Sequence, residues 1–474
     1  MLFNSIDFAI FLPVVFVLYW FIFKNSLRYQ NLLIVAASYV FYGWWDWRFL
    51  FLIFLSTVVD YFVAMRIEQT HKKKSKKIYL LISIIFNLSI LGFFKYYNFF
   101  IDSWIELLSK IGYQVTDVWT LKIILPVGIS FYTFQTMSYS LDVYRSKIKA
   151  TKDFISFASF VSFFPQLVAG PIERASNLLP QILSKRKFDY KQSVNGLRLI
   201  LWGLFKKVVI ADSLSLLVTP IFENYTSLNG GELLLGLIYF SFQIYCDFSG
   251  YSDIAIGTAK MFGIELRSNF IFPYFSRDIS EFWRRWHVSL SSWFRDYIYI
   301  PLGGSKKGKW ITIRNIFIIF IISGFWHGAN FTFIAWGLIH ALLYLVIALS
   351  NKNRRYTTSI VAENRMTPSI KEIFQISSTF FTVMISWVFF RSNTITDSFL
   401  YLKKMMINFD IPISYRTGLV YVIFFIMCDW LNRKDERNPL NISIVYVRWT
   451  AYILMLLLIL GHGGQKNEFI YFQF

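Results

Sequence analysis

Stretches of apolar residues long enough to cross a bilayer, separated by short runs of lysine and arginine, recur from one end of this chain to the other and leave little choice of fold. A helical crossing needs about 20 apolar residues. Candidate crossings centre on residues 6–23, 31–43, 49–65, 78–94, 121–144, 195–220, 233–262, 311–326, 331–349, 374–390, 416–431 and 445–461. Several are short or share a boundary, so roughly ten to twelve crossings are expected. Hydrocarbon tolerates only backbone that bonds to itself, so the predicted fold is an all-α polytopic membrane protein with re-entrant and interfacial helices beside the spanning ones. Residues 1–474 read as one transmembrane unit, with the motif-bearing core at about 154–349. The longest polar loops are too short to build a soluble domain.

Composition enters as a filter. Only 16% of residues are charged, against about a quarter in soluble chains. Just two cysteines, Cys246 and Cys428, lie in apolar sequence, which excludes a disulfide scaffold. The net charge of +20 falls in short basic runs between apolar stretches, the pattern of cytoplasmic loops in a lipid bilayer rather than of a nucleic-acid binder.

The basic runs set an orientation. Lys24 and Arg28, the KKKSKK run at 72–77 and the RSKIK run at 145–149 follow every second crossing, while aromatics fill the intervening turns. This predicts a non-cytoplasmic N-terminus. The first apolar stretch begins with Asp7 and has no small-residue cleavage site before Lys24, so it reads as a membrane helix rather than a cleaved signal. The alternation fails at Lys185-Arg186-Lys187, because only the stretch 154–169, containing Pro165, separates that cluster from RSKIK. That stretch is expected to be re-entrant or broken and buried in protein. Basic residues on both sides of 306–355 predict a helical hairpin with its tip near Ser323–Asn330.

Five histidines narrow the chemistry. His71 lies in the basic loop and His462 beside Gly461, Gly463 and Gly464, where solvent and turn roles suffice. The other three stand in apolar sequence, where a polar side chain is a functional candidate. His327 lies about 27 Å along a helix from Lys309, beside Gly324, Gly328 and Ala329, which could admit a substrate or merely permit tight helix packing. A neutral imidazole there suits proton abstraction from a hydroxyl. His340 lies roughly 220° further around a continuous helix, which favours packing. On a helical wheel from 280 to 297, Phe282, Trp286, Leu290, Trp293, Phe294 and Tyr297 form one apolar arc with His287 at its edge. Either this is an interfacial helix whose arginines meet lipid phosphates, or it presents His287 to a buried site while Arg284 and Arg285 guide an anionic ligand. Asp247 and Asp253 point to different sides of a helix, about 120° apart, so pairing with Lys or Arg is the simpler expectation. No metal motif, nucleophile elbow or phosphate loop is present, and no metal is expected.

Five segments together carry a resemblance: Phe282–Leu290 (FWRRWHVSL), Trp293–Gly304 (WFRDYIYIPLGG), Ser323–Asn330 (SGFWHGAN), Phe163–Ile172 (FFPQLVAGPI) and Tyr245–Asp253 (YCDFSGYSD). The chain resembles membrane-bound O-acyltransferases, in particular the alginate O-acetylation branch, from its first residues to the closing EFIYFQF at 468–474. The resemblance implies a ring of helices around a central tunnel. It places the family histidine at His327 and the second polar position at His287 as the catalytic pair, with Arg284, Arg285, Trp326, Asn330 and Asp247 as candidate substrate-binding residues. It also implies no tightly bound cofactor, a thioester donor such as acetyl-CoA, an extracytoplasmic polysaccharide acceptor, a periplasmic acetyltransferase partner and residence in the cytoplasmic membrane. The competing readings are a channel for acyl groups or glycan intermediates that does no chemistry, and a scaffold for polysaccharide export.

Overall fold

The computed structural model describes residues 1–113, 120–168, 170–463 and 469–470. Ala169 in FFPQLVAGPI, Gly464, and residues 468 and 471–474 of the closing segment lie outside the described residues. Among those described there is no strand. In chain order the helices are α1 (Ile6–Val17), α2 (Leu27–Asp46), α3 (Leu50–Gln69), α4 (Lys73–Leu91), α5 (Tyr97–Lys110), α6 (Ile129–Tyr144), α7 (Phe154–Ser162), α8 (Phe164–Leu167), α9 (Ala175–Leu183) and α10 (Tyr190–Leu204). They continue with α11 (Asp212–Glu223), α12 (Gly230–Met261), α13 (Ile279–Arg285), α14 (Val288–Phe294), α15 (Lys309–His327), α16 (Phe331–Leu349), α17 (Ile370–Arg391), α18 (Ile395–Ile407), α19 (Gly418–Asn432) and α20 (Val445–His462).

Among the described residues, seven helical stretches are long and apolar enough to cross a bilayer: Leu27–Gln69, Lys73–Lys110, Gly230–Met261, Lys309–His327, Phe331–Leu349, Ile370–Arg391 and Val445–His462. Ile6–Ile22 and Gly418–Asn432 are shorter apolar helices. Two expected crossings differ from the sequence reading. The helix expected over 121–144 starts only at Ile129, where Gly128 takes a left-handed conformation at φ 74°. The stretch 195–220 lies in a helical run that carries Lys206, Lys207 and Asp212, too many charges for a lipid-facing span.

The chain divides into two compact units. The first comprises Met1–Tyr190, Ala259–Leu266 and Gly328–Asn330. At its centre, six side chains from α3, α4 and α6 form a buried polar network. The Asp60 carboxylate accepts from Ser83, from Ser140 Oγ at 2.7 Å and from Asn87 Nδ2 at 2.7 Å. Asn87 Oδ1 in turn accepts from Ser56 at 3.0 Å and Thr136 at 3.2 Å. The stretch expected to be broken is so: α7 stops at Ser162, Phe163 adopts φ −50° and ψ 104°, and α8 restarts with Pro165 in its first turn. The interruption is tolerable because its polar groups find partners. The Phe164 amide donates to Ser38 Oγ at 3.0 Å, and the Phe160 carbonyl accepts from Gln166 at 3.1 Å and from Gln135.

The second unit comprises Lys191–Thr258, Arg267–His327 and Phe331 onward. Here α10 and α12 approach with backbones almost touching. A Cβ on Gly203 would stand 2.6 Å from the Gly250 carbonyl oxygen, and one on Gly257 2.5 Å from that of Gly196. Between α10 and α11 a π-helical segment, Phe205–Ala211, sets Lys206 and Lys207 inward. Lys206 pairs with Asp253 at 2.7 Å; Lys207 pairs with Asp247 at 2.6 Å and Asp212 at 2.9 Å. The two carboxylates of YCDFSGYSD thus meet lysines. The hairpin expected within 306–355 is formed by α15 and α16, joined through residues 328–330.

Candidate active site

His327 is the last residue of α15, so its position follows from how α15 packs. Gly324 and Gly337 allow α15 and α16 to close together: a Cβ at either would overlap a carbonyl oxygen of the other helix, that of Phe333 or Phe320. Gly324 therefore serves helix packing, one of the two roles open to it from sequence. The result is an imidazole only 4% exposed and walled by rings. Trp326 lies at 5.0 Å, Trp336 at 5.2 Å and Phe390 of α17 at 5.2 Å, each with its plane steeply inclined to the imidazole.

His287 reaches the same place by a different route. The single helix expected over 280–297 is broken. Asp278 caps α13, its side chain accepting the Glu281 amide at 2.7 Å, and α13 ends at Arg285. Trp286 is extended, and His287 takes the left-handed region at φ 43° and ψ 53° as the first residue of the turn into α14. A non-glycine residue in that conformation is uncommon, although histidine enters it more readily than most. Asn269 makes the break tolerable: its carbonyl accepts the Val288 amide at 2.9 Å, its Oδ1 accepts from Ser289 Oγ, and its Nδ2 donates to Ser252 at 3.0 Å. The expected apolar arc is buried in protein rather than laid on lipid, since Phe282, Trp286, Leu290, Trp293, Phe294 and Tyr297 are all buried. The break removes His287 from the helical face and turns its ring toward Phe248 (4.6 Å), Trp326 (5.9 Å) and Phe270 (6.4 Å). Burial among these rings pushes its pKa down to about 3, so the imidazole is neutral at physiological pH.

One indole, Trp326, therefore contacts both imidazoles. The remaining candidates each have surroundings of their own. Arg285 pairs with Glu281 at 2.8 Å and also donates to the Ile271 carbonyl at 3.1 Å; Arg284 donates to Ser280 Oγ at 2.7 Å and to the Asn353 carbonyl at 2.8 Å. Both guanidinium groups thus tie α13 to neighbouring backbone. Asn330 is half-buried in the link after α15 and belongs to the first unit. Asp247 immediately precedes Phe248, whose ring meets His287. Besides Lys207 it accepts the Ile470 amide at 2.6 Å, and Phe469 packs on Tyr251 at 4.3 Å and on Phe248 at 5.8 Å, the ring that meets His287 edge-on.

His340, one turn beyond Trp336 on α16, is fully buried and bonds Ser386 at 2.9 Å. His71 is exposed, and His462 closes α20 by contacting the Leu458 carbonyl at 2.9 Å. Sequence reasoning did not single out Phe248, Phe270, Trp336 and Phe390 as parts of the enclosure. Trp336 carried a faint signal, four positions before a histidine on one helix face; Phe390, 63 positions away from His327, carried none.

A model of the membrane-bound O-acyltransferase family matches residues 44–390. The chain is 40% identical over 399 residues to a probable alginate O-acetylase of Pseudomonas aeruginosa, covering 83% of this chain and 73% of that protein. It is 35% identical over 501 aligned positions to a peptidoglycan O-acetyltransferase of Helicobacter pylori, covering 99% and 90% respectively. A teichoic acid D-alanyltransferase of Bacillus subtilis is 30% identical over 243 residues, covering 48% and 61%. The chain belongs to the membrane-bound O-acyltransferase family: it is a multi-pass membrane enzyme that transfers acyl groups to hydroxyls.

Proposed function

We propose that this enzyme takes an acetyl group from a cytoplasmic thioester, acetyl-CoA being the donor of choice, and delivers it across the cytoplasmic membrane to hydroxyls of an extracytoplasmic polysaccharide, directly or through a periplasmic transferase partner. The relatives that act on alginate and on peptidoglycan support acetyl as the group and a glycan as the acceptor. The observation that carries the chemistry is the pair of imidazoles, His287 and His327, both in contact with one buried indole, Trp326. In such a site a neutral imidazole accepts a proton and water does not compete for it. His327 removes the proton from the attacking hydroxyl, the new ester C–O bond forms as the C–S bond breaks, and the proton passes to the departing thiolate. His287 orients the thioester carbonyl or the acceptor. Arg284, Arg285, Trp326 and Asp247 act as supports of the substrate-binding region. The N-terminus lies outside, with the 72–77 basic loop in the cytoplasm.

The test uses inside-out membrane vesicles containing the full chain and acetyl-labelled acetyl-CoA, with alkali-labile ester acetate as readout. His327→Ala is expected to lower ester formation by at least a hundredfold at unchanged protein level. Undiminished ester formation in that variant would overturn the assignment and leave the chain a conduit for acyl groups.

A further inference from the structure

We infer that His340 is a positioning residue for this transfer, acting through its hydrogen bond to Ser386 to hold Trp336 against His327; the inference rests on His327 being the general base. Side chains of four helices meet at the ring of His340. Within 6.3 Å of its centroid stand Phe282 and Trp283 of α13, the helix that leads into His287, and Phe320 of α15, the helix that ends in His327. Trp336, on its own helix α16, lies at 4.9 Å. Ser386 belongs to α17.

Ser386 Oγ donates to the Val383 carbonyl at 2.6 Å, which suits it to accept from His340 in the Nε2–H tautomer. Both partners are completely buried, and the bond joins α16 to α17. One turn along each helix, the same interface supplies two walls of the His327 enclosure. Trp336 precedes His340 by four residues and Phe390 follows Ser386 by four, placing each pair on one face. Trp336 and Phe390 touch each other at 5.3 Å and both touch His327 at 5.2 Å, while Trp336 stacks on Trp387 at 5.7 Å with planes 20° apart.

Apolar rings sliding over one another in a membrane have no strong preference of register, and a single polar bond supplies one. Such bonds add modestly to membrane-protein stability, whereas a misplacement of about 1 Å in a catalytic group costs on the order of a hundredfold in rate. Losing the bond is therefore expected to reduce turnover far more than folding. This separates positioning from packing, since a packing residue would move the thermal midpoint first.

The experiment compares His340→Phe, which keeps a ring and loses the donor, His340→Gln, whose amide can donate from a similar position, and Ser386→Ala on the other helix. Acetyl transfer from acetyl-CoA is measured in the vesicles above, and thermal midpoints on the full-length protein in detergent. Expected are a tenfold or larger fall in kcat for His340→Phe and Ser386→Ala with KM for acetyl-CoA within twofold, and recovery to within threefold of wild type for His340→Gln. Wild-type turnover in Ser386→Ala, an equal loss in His340→Gln and His340→Phe, or a change confined to KM would overturn the inference. His327→Ala is run beside them. If it retains transfer, the reading of His327 fails; if it is inactive while Ser386→Ala is fully active, only the positioning role fails. Should His340→Phe not fold, Ser386→Ala with its midpoint decides alone.

Discussion

Gly337 of α16 lies so close to α15 that the Gly324 Cα is 3.5 Å from where a Gly337 side chain would begin, and the Phe320 carbonyl oxygen is closer still. This contact sets the depth of His327, three residues past Gly324. Adding one methyl at Gly337 must separate two helices whose backbones cannot yield locally. Gly337→Ala is expected to lower stability by about 1–3 kcal/mol, the range for overpacking a tight interior, and to reduce acetyl transfer more than tenfold by shifting the end of α15. Thermal unfolding in detergent and the vesicle assay check it; an unchanged midpoint would show that the hairpin relaxes.

The Lys207 ammonium stands between two carboxylates, Asp247 and Asp212, and the three charges differ in how replaceable they are. Lys207→Met leaves two buried carboxylates facing each other. Removing one partner of a buried pair costs about 3–5 kcal/mol, so this variant is expected to accumulate poorly. Asp247→Asn leaves Lys207 paired with Asp212 and keeps an oxygen for the Ile470 amide, so its loss should be the smaller of the two. Protein yield and melting of the two variants side by side test the ordering, and equal losses would contradict it.

Asp60 makes a similar point in the first unit, with hydrogen bonds in place of ions. Three donors from α4 and α6 converge on its carboxylate. Asp60→Leu would leave Ser83, Ser140 and Asn87 buried without that acceptor, at about 1–3 kcal/mol for each unsatisfied group. Asp60→Asn keeps one acceptor oxygen and should recover part of the loss. Melting of the full-length protein distinguishes the two, and Asp60→Leu as stable as Asp60→Asn would show that the network is dispensable.

What could be read from the sequence follows from which signals are periodic or compositional. The α15–α16 hairpin was legible because basic residues flank it and small residues mark its tip, and the break near Pro165 because charge alternation failed there. The helix expected over 280–297 has a break with no local signal. Its apolar spacing is helical throughout, and the left-handed turn at His287 depends on Asn269, a residue 18 positions upstream whose role no local pattern announces. The stretch 195–220 departs from a membrane crossing for a related reason. Lys206, Lys207 and Asp212 are made tolerable by carboxylates and a lysine that meet only after folding. His327 was found through its local motif, but the wall formed by Phe390 requires α17 to fold back against it, and that contact has no sequence signature.

His287 offers a test that requires no acceptor. Its pKa is lowered from 6.5 to about 3 by burial. Above pH 6.5 the imidazole is neutral folded and unfolded, and it adds no pH dependence. As the pH falls below 6.5, the unfolded chain takes up a proton that the folded chain refuses, so stability is lost progressively toward pH 3. At pH 5 the loss attributable to this one residue amounts to about 2 kcal/mol, from 1.36 kcal/mol for each pH unit crossed. His287→Gln, which cannot titrate, should therefore melt with a shallower dependence on pH between 7.5 and 5 than the wild type does. Parallel slopes for the two proteins would mean that the ring has access to water or to a counter-charge, and that a neutral, enclosed His287 is not what the site uses.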